Sequence, residues 1–183
     1  MKKTSIIAIV IVVILAAAFG AGLWLLLEDN EQYQDLFENA EIKIKVNGEE
    51  VGVYDLEQLT ELVPLTEFSA VYKPSGKLPI ERIYEGFELK SVLGAVDIDV
   101  SAIKSVSFRA SDGKIVSYTG TDIRKDKEVF IAIKYAGKEF ISGIKGSGEF
   151  YPEEDGGPFV VIKASAGFSQ DRVRCLVEVS VQL

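Results

Sequence analysis

The segment Arg172-Val173-Arg174-Cys175-Leu176-Val177-Glu178-Val179-Ser180-Val181-Gln182 sets Val173, Cys175, Val177, Val179 and Val181 on one face and Arg172, Arg174, Glu178, Ser180 and Gln182 on the other. A period of two is the mark of a strand with one face buried. This reading places Cys175, the single cysteine of the chain, among core valines. Apolar surroundings raise a thiol's pKa and leave it inert, so the expected role of Cys175 is structural.

Working back from this strand, further hairpins are legible. Ile42, Ile44 and Val46 alternate with Lys43 and Lys45, Asn47-Gly48 supplies a tight turn, and Glu49 to Tyr54 returns. Asp55 and Gln58 stand at capping-box spacing, and Leu56, Leu59, Leu62 and Val63 give a short amphipathic helix that stops at Pro64. Thr66 to Tyr72 reads as a strand and Lys73-Pro74-Ser75-Gly76 as a turn, beyond which Pro79 to Phe87 contains Ile83-Tyr84-Glu85-Gly86-Phe87. Leu89, Val92 and Leu93 mark the buried face of another short helix, which Gly94 is expected to end. Ile103 to Ala110 and Lys114 to Thr119 flank the turn Asp112-Gly113; Val129 to Tyr135 and Lys138 to Ile141 flank Ala136-Gly137; Pro158 to Ile162 is one more strand. Strands dominate, with two short helices between them.

At the other end, Ile6 to Leu27 carries no charge, follows Lys2 and Lys3, and precedes Glu28-Asp29. At about 1.5 Å per helical residue it spans the roughly 30 Å hydrocarbon core of a bilayer. It is expected to be a transmembrane anchor helix, since backbone groups in hydrocarbon must pair within the segment. Leu23-Trp24-Leu25-Leu26-Leu27 carries the run past the small residues Ala16-Ala17-Ala18 and Gly20-Ala21-Gly22, where a cleavable signal peptide would end. The basic N-terminus stays in the cytoplasm, and Glu28-Asp29-Asn30-Glu31 has no basic residue to retain it there, so the remainder is extracytoplasmic on the cell membrane. The expected organisation is a cytoplasmic N-terminus over 1–5, the anchor over 6–27, a stalk over 28–40 and one domain over 41–183.

The chain holds 28 acidic and 20 basic residues, and Lys2 and Lys3 are the only charges ahead of Glu28, so the outer part is more acidic than the overall −8. Nucleic acid and anionic headgroups are repelled by such a surface and are excluded as principal partners. With no histidine and one cysteine, an internal disulfide, a Cys/His zinc site and a His-based triad are excluded. Glu149, Glu153, Glu154 and Asp155 lack the spacing of a calcium loop and read as a solvated acidic tract, and Gly143 to Gly148 lacks the helix start of a phosphate loop.

The order of segments resembles the molybdopterin-binding domain of the sulfite oxidase family. The resemblance runs over residues 41–183 and rests on Tyr84-Glu85-Gly86-Phe87-Glu88-Leu89, Ala110-Ser111-Asp112-Gly113-Lys114, Ile131-Ala132-Ile133-Lys134-Tyr135 and Gly156-Gly157-Pro158-Phe159. It implies an α+β fold with a strand-rich mixed sheet and a pterin cleft near Gly86, Asp112 and Gly157. The cofactor-binding set it implies is Tyr84, Gly86, Phe87, Asp112, Gly113, Gly156, Gly157, Pro158 and Phe159.

This chain departs from the family's pattern in its chemistry. Upstream of Tyr84, where the family has its molybdenum-ligating cysteine, stands Lys73-Pro74-Ser75-Gly76-Lys77; Val160 replaces an arginine after the Gly-Gly-Pro; the family's cofactor-holding histidines are missing. A soft thiolate is what ties a high-valent metal to such a site. The expectation is therefore an enzyme scaffold without the enzyme's reaction: it holds no molybdenum, retains molybdopterin only as what the resemblance implies, and binds a small molecule or a protein partner. The alternatives are a membrane-anchored molybdopterin oxidoreductase and a structural subunit of a membrane complex.

Overall fold

The computed structural model describes residues 40–73, 76, 78–135, 137–139 and 157–183. The apolar run Ile6–Leu27, the stalk up to residue 39, the glycine-rich and acidic tracts and Gly156 lie outside them. Among the described residues no helix is long and apolar enough to cross a membrane.

The domain is a strand-rich α+β fold of two sheets, one mixed and one antiparallel. Sheet A contains β1 (Ile42–Val46), β2 (Glu49–Tyr54), β5 (Ser105–Ala110), β6 (Ile115–Thr119) and β10 (Leu176–Gln182), in the order β2-β1-β10-β5-β6. Its β1–β10 pair is parallel, and the β1–β2, β10–β5 and β5–β6 pairs are antiparallel. Sheet B contains β3 (Thr66–Tyr72), β4 (Ile80–Glu88), β7 (Val129–Tyr135), β8 (Lys138–Glu139) and β9 (Val160–Lys163). β4 lies along one side of β7; β9 and β8 lie end to end along the other.

The turns form where their residues permit. Asn47 and Gly48 both take positive φ, as the tight turn between twisted strands requires. Helix α1 (Leu56–Leu62) opens on the full Asp55/Gln58 capping box, but only Leu59 and the following Val63 are buried, because two turns give too narrow a face to hide Leu56 and Leu62 as well. Helix α2 (Leu89–Ala95) buries Leu89, Val92 and Leu93 completely. It continues through Gly94, and Asp97, at φ 61°, takes the left-handed position instead. The five-residue helix α3 (Gly120–Arg124) has a Thr119/Asp122 capping box that the strand pattern concealed.

The main core takes Ile44, Val106, Phe108, Val179 and Val181 from sheet A, Phe87, Ile131 and Val161 from sheet B, and the buried faces of α1, α2 and α3. Each such side chain contributes about 1.5–3 kcal/mol by leaving water. The opposite face of sheet B carries a second cluster of Phe68, Ala70, Tyr84, Phe130, Ala132, Val160 and Ile162.

The C-terminal alternation does not run unbroken. Val173 bridges Val161 at the edge of β9, Cys175 turns the chain at φ 47°, and the next residues join sheet A. A register shift between Leu176 and Glu178 leaves Val177 as an extra residue opposite β5. The bulge changes the parity of the strand, so Leu176, Val179 and Val181 are buried while Val177 is exposed. Cys175 is thereby half-buried at a corner between the sheets, a correction to its expected place among the core valines.

Candidate functional site

The segment 171–176 passes from sheet B to sheet A, and residues from widely separated parts of the chain meet on it. On the sheet A side, the Ser111 N–H donates to the Cys175 carbonyl at 2.9 Å, and the Leu176 N–H to the Phe159 carbonyl at 3.0 Å. Lys114 Nζ donates to the Arg172 carbonyl at 2.9 Å, and Tyr118 OH to the Asp171 carbonyl at 3.1 Å. Gly157, at φ 75°, lies directly on the turn: a Cβ there would stand 2.5 Å from Cys175 Sγ and 3.3 Å from Cys175 Cα. Burial pushes the Cys175 thiol pKa up; a hydrogen bond with the Ser111 side chain opposes that shift, and the Asp112 charge adds to it.

On the sheet B side, the buried Arg172 guanidinium donates through Nη1 to Tyr84 OH at 2.7 Å and through Nη2 to the Val71 carbonyl at 3.0 Å. Its carbon lies 4.8 Å from the Tyr84 ring centroid and 5.4 Å from that of Tyr72. Arg82, also buried, sits 3.8 Å from the Tyr72 centroid and 4.7 Å from that of Tyr135. Two guanidinium groups are thus stacked among three tyrosines.

The structure therefore joins Tyr84, the Ser111–Lys114 turn and the Gly157–Phe159 segment through 171–176. Within that set the residues differ in position. Tyr84 belongs to the second cluster, whereas Phe87 and Phe159 are buried in the main core. Gly86 lies beside a bulge in β7, where a Cβ would collide with the Ile131 carbonyl and Ala132 Cα, so its small size serves the approach of two strands. Gly113, at φ 87°, serves the turn, in which Asp112 Oδ1 accepts from the Lys114 N–H at 2.9 Å. Pro158 is half-buried beside Gly157. Arg172 and Arg82 were missed by sequence reasoning; the one available signal was Arg82, which shares a strand face with Ile80 and Tyr84, whereas Arg172 fell on the polar face of the C-terminal alternation.

A separate polar network ties α3 to β9. Lys163 Nζ lies 2.8 Å from Asp122 Oδ1 and 3.8 Å from Glu128 Oε1, and 5.6 Å from the Tyr118 ring centroid. The Lys163 hydrogen bond holds the Asp122 carboxyl below the usual range, and burial pushes the Tyr118 hydroxyl up to about 12. Among the described residues no group of three or more His, Cys, Asp or Glu is placed to hold a metal ion.

This architecture defines the class of the domain as a mixed, sheet-rich α+β fold, which solved structures share. The crystal structure of the sulfane dehydrogenase SoxCD from Paracoccus pantotrophus matches at a TM-score of 0.57 and 13% identity, over 79% of this chain and 38% of that one. The likeness is one of fold, and the chain spans well under half of its neighbour's length. The sequence matches no family model and no curated protein.

Proposed function

We propose that this chain is a membrane-tethered, extracytoplasmic, non-catalytic binding domain built on the molybdopterin-domain scaffold of the sulfite oxidase family. The observation that carries the reading is the position of Cys175. A thiolate that holds molybdenum must be ionised and face an open coordination site. The only thiol in this chain closes a corner between two sheets, has Gly157 packed on it, and has its pKa raised by burial. These residues do not fit a thiolate-held molybdenum, and no redox step is assigned to them. The arginine–tyrosine stack and the turns joined by 171–176 supply the binding chemistry, for a small molecule or a protein partner.

The fold likeness to a sulfane dehydrogenase favours a second reading, a membrane-anchored molybdopterin oxidoreductase with a ligand other than cysteine. Metal analysis of the full chain, produced in a molybdenum-replete host, separates the two. Molybdenum well below one atom per chain is expected, and stoichiometric molybdenum would overturn the non-catalytic reading.

A further inference from the structure

We propose that Leu78 and Ile80, where the chain enters β4, together with Phe168, rest in the interface of the bilayer that holds the N-terminal run; this rests on the membrane-tethered reading. Leu78 is 83% exposed, Phe168 52% and Ile80 51%. They gather at one edge. Ile80 pairs with Tyr72, and the next residue, Lys73, reaches the Phe168 loop twice: its N–H donates to Ser169 Oγ at 2.6 Å, and its Nζ stands 4.5 Å from the Phe168 ring centroid. Ile83, 54% exposed, adds apolar surface to the other face of β4.

This composition is that of an interfacial contact. Leucine, isoleucine and phenylalanine enter the acyl boundary, while a lysine lays its stem on apolar surface and keeps its ammonium among the headgroups. The occupant is argued from chain length. Residues 28–40 alone separate the apolar run from the start of the domain, and fully extended they reach about 45 Å. A tethered domain therefore meets lipid at high effective concentration throughout its life. The contact is apolar and suits zwitterionic headgroups, because the acidic chain repels anionic ones.

The test uses the full chain in phosphatidylcholine vesicles, in a Cys175→Ala or Cys175→Ser background with unchanged far-UV circular dichroism. Spin labels are attached after Leu78→Cys, Phe168→Cys or Ile115→Cys, the last an exposed position on the edge strand β6. Power saturation compares access by oxygen, which partitions into lipid, with access by a water-soluble nickel chelate. The expected result is an oxygen-to-nickel ratio several-fold higher at 78 and 168 than at 115. Equal ratios at all three overturn the proposal and leave a protein as the occupant of this surface. Alkaline carbonate extraction of the same vesicles reports the tether separately. A chain that resists extraction while its ratios are equal loses the patch and keeps the anchor; a chain that is extracted after showing raised ratios loses the anchor and keeps the patch.

Discussion

Gly157 combines positive φ with direct packing on Cys175, and the two constraints can be separated. Gly157→Ala is expected to cost about 1–3 kcal/mol in urea unfolding, from the strained backbone and the collision with Sγ. In a Cys175→Ala background the same change should cost less, because the Sγ collision at 2.5 Å is gone while the close approach to the backbone of residue 175 at 3.3 Å and the positive-φ strain remain. Identical costs in both backgrounds would show that the sulfur does not set the packing. The thiol itself should react with a water-soluble maleimide at a rate that climbs only above the pH range of a free cysteine, since its pKa is raised. Ser111→Ala removes the hydrogen bond that opposes this shift, so the midpoint should move further up. A downward move would contradict the assignment.

At the scale of elements, the 171–176 segment is held from both sides by groups that no local pattern announces. Arg172→Lys keeps the charge but loses the planar fork that reaches Tyr84 and Val71 together, and should lower unfolding stability by about 2–4 kcal/mol. Tyr84→Phe removes one acceptor and should cost about 1–2 kcal/mol; a loss as large as that of Arg172→Lys would mean that the Val71 bond contributes little. The α3–β9 tie has a pH signature. Asp122 has a lowered folded-state pKa, so its contribution is complete above the unfolded value of about 3.9 and fades as pH falls through the folded value. Lys163→Met should flatten the stability profile in that acid window, and an unchanged slope would rule out the pair as its source. Hairpins and caps were legible because Asn47-Gly48, Asp112-Gly113 and Asp55/Gln58 act over two to four residues. The Val177 bulge was not, because a register shift depends on the partner strand. The arginine–tyrosine stack was not legible either, since Arg172 meets a tyrosine 88 positions away.

For the molecule as a whole, the sequence spoke for a strand-rich α+β domain, while the pairing of its strands came only with coordinates. Nothing in Ile42 to Val46 names Leu176 to Gln182 as a parallel neighbour. Protease added outside intact cells should digest the domain, and the mature chain should keep its first 27 residues by intact mass; protection from protease would reverse the orientation, and a form beginning after Gly22 would remove the anchor. The parallel pair also constrains how the protein is made. Among the described strands, β1 is the first to emerge in synthesis, and β10, which divides it from β5, is made after all the others. Lys45 meets Glu178 across 133 positions, so closing sheet A requires a loop nearly as long as the domain. The β1–β2 hairpin and the β5–β6 hairpin must therefore wait with open edges until translation reaches β10, and during that interval the nascent chain depends on whatever shields exposed strands from pairing with their neighbours.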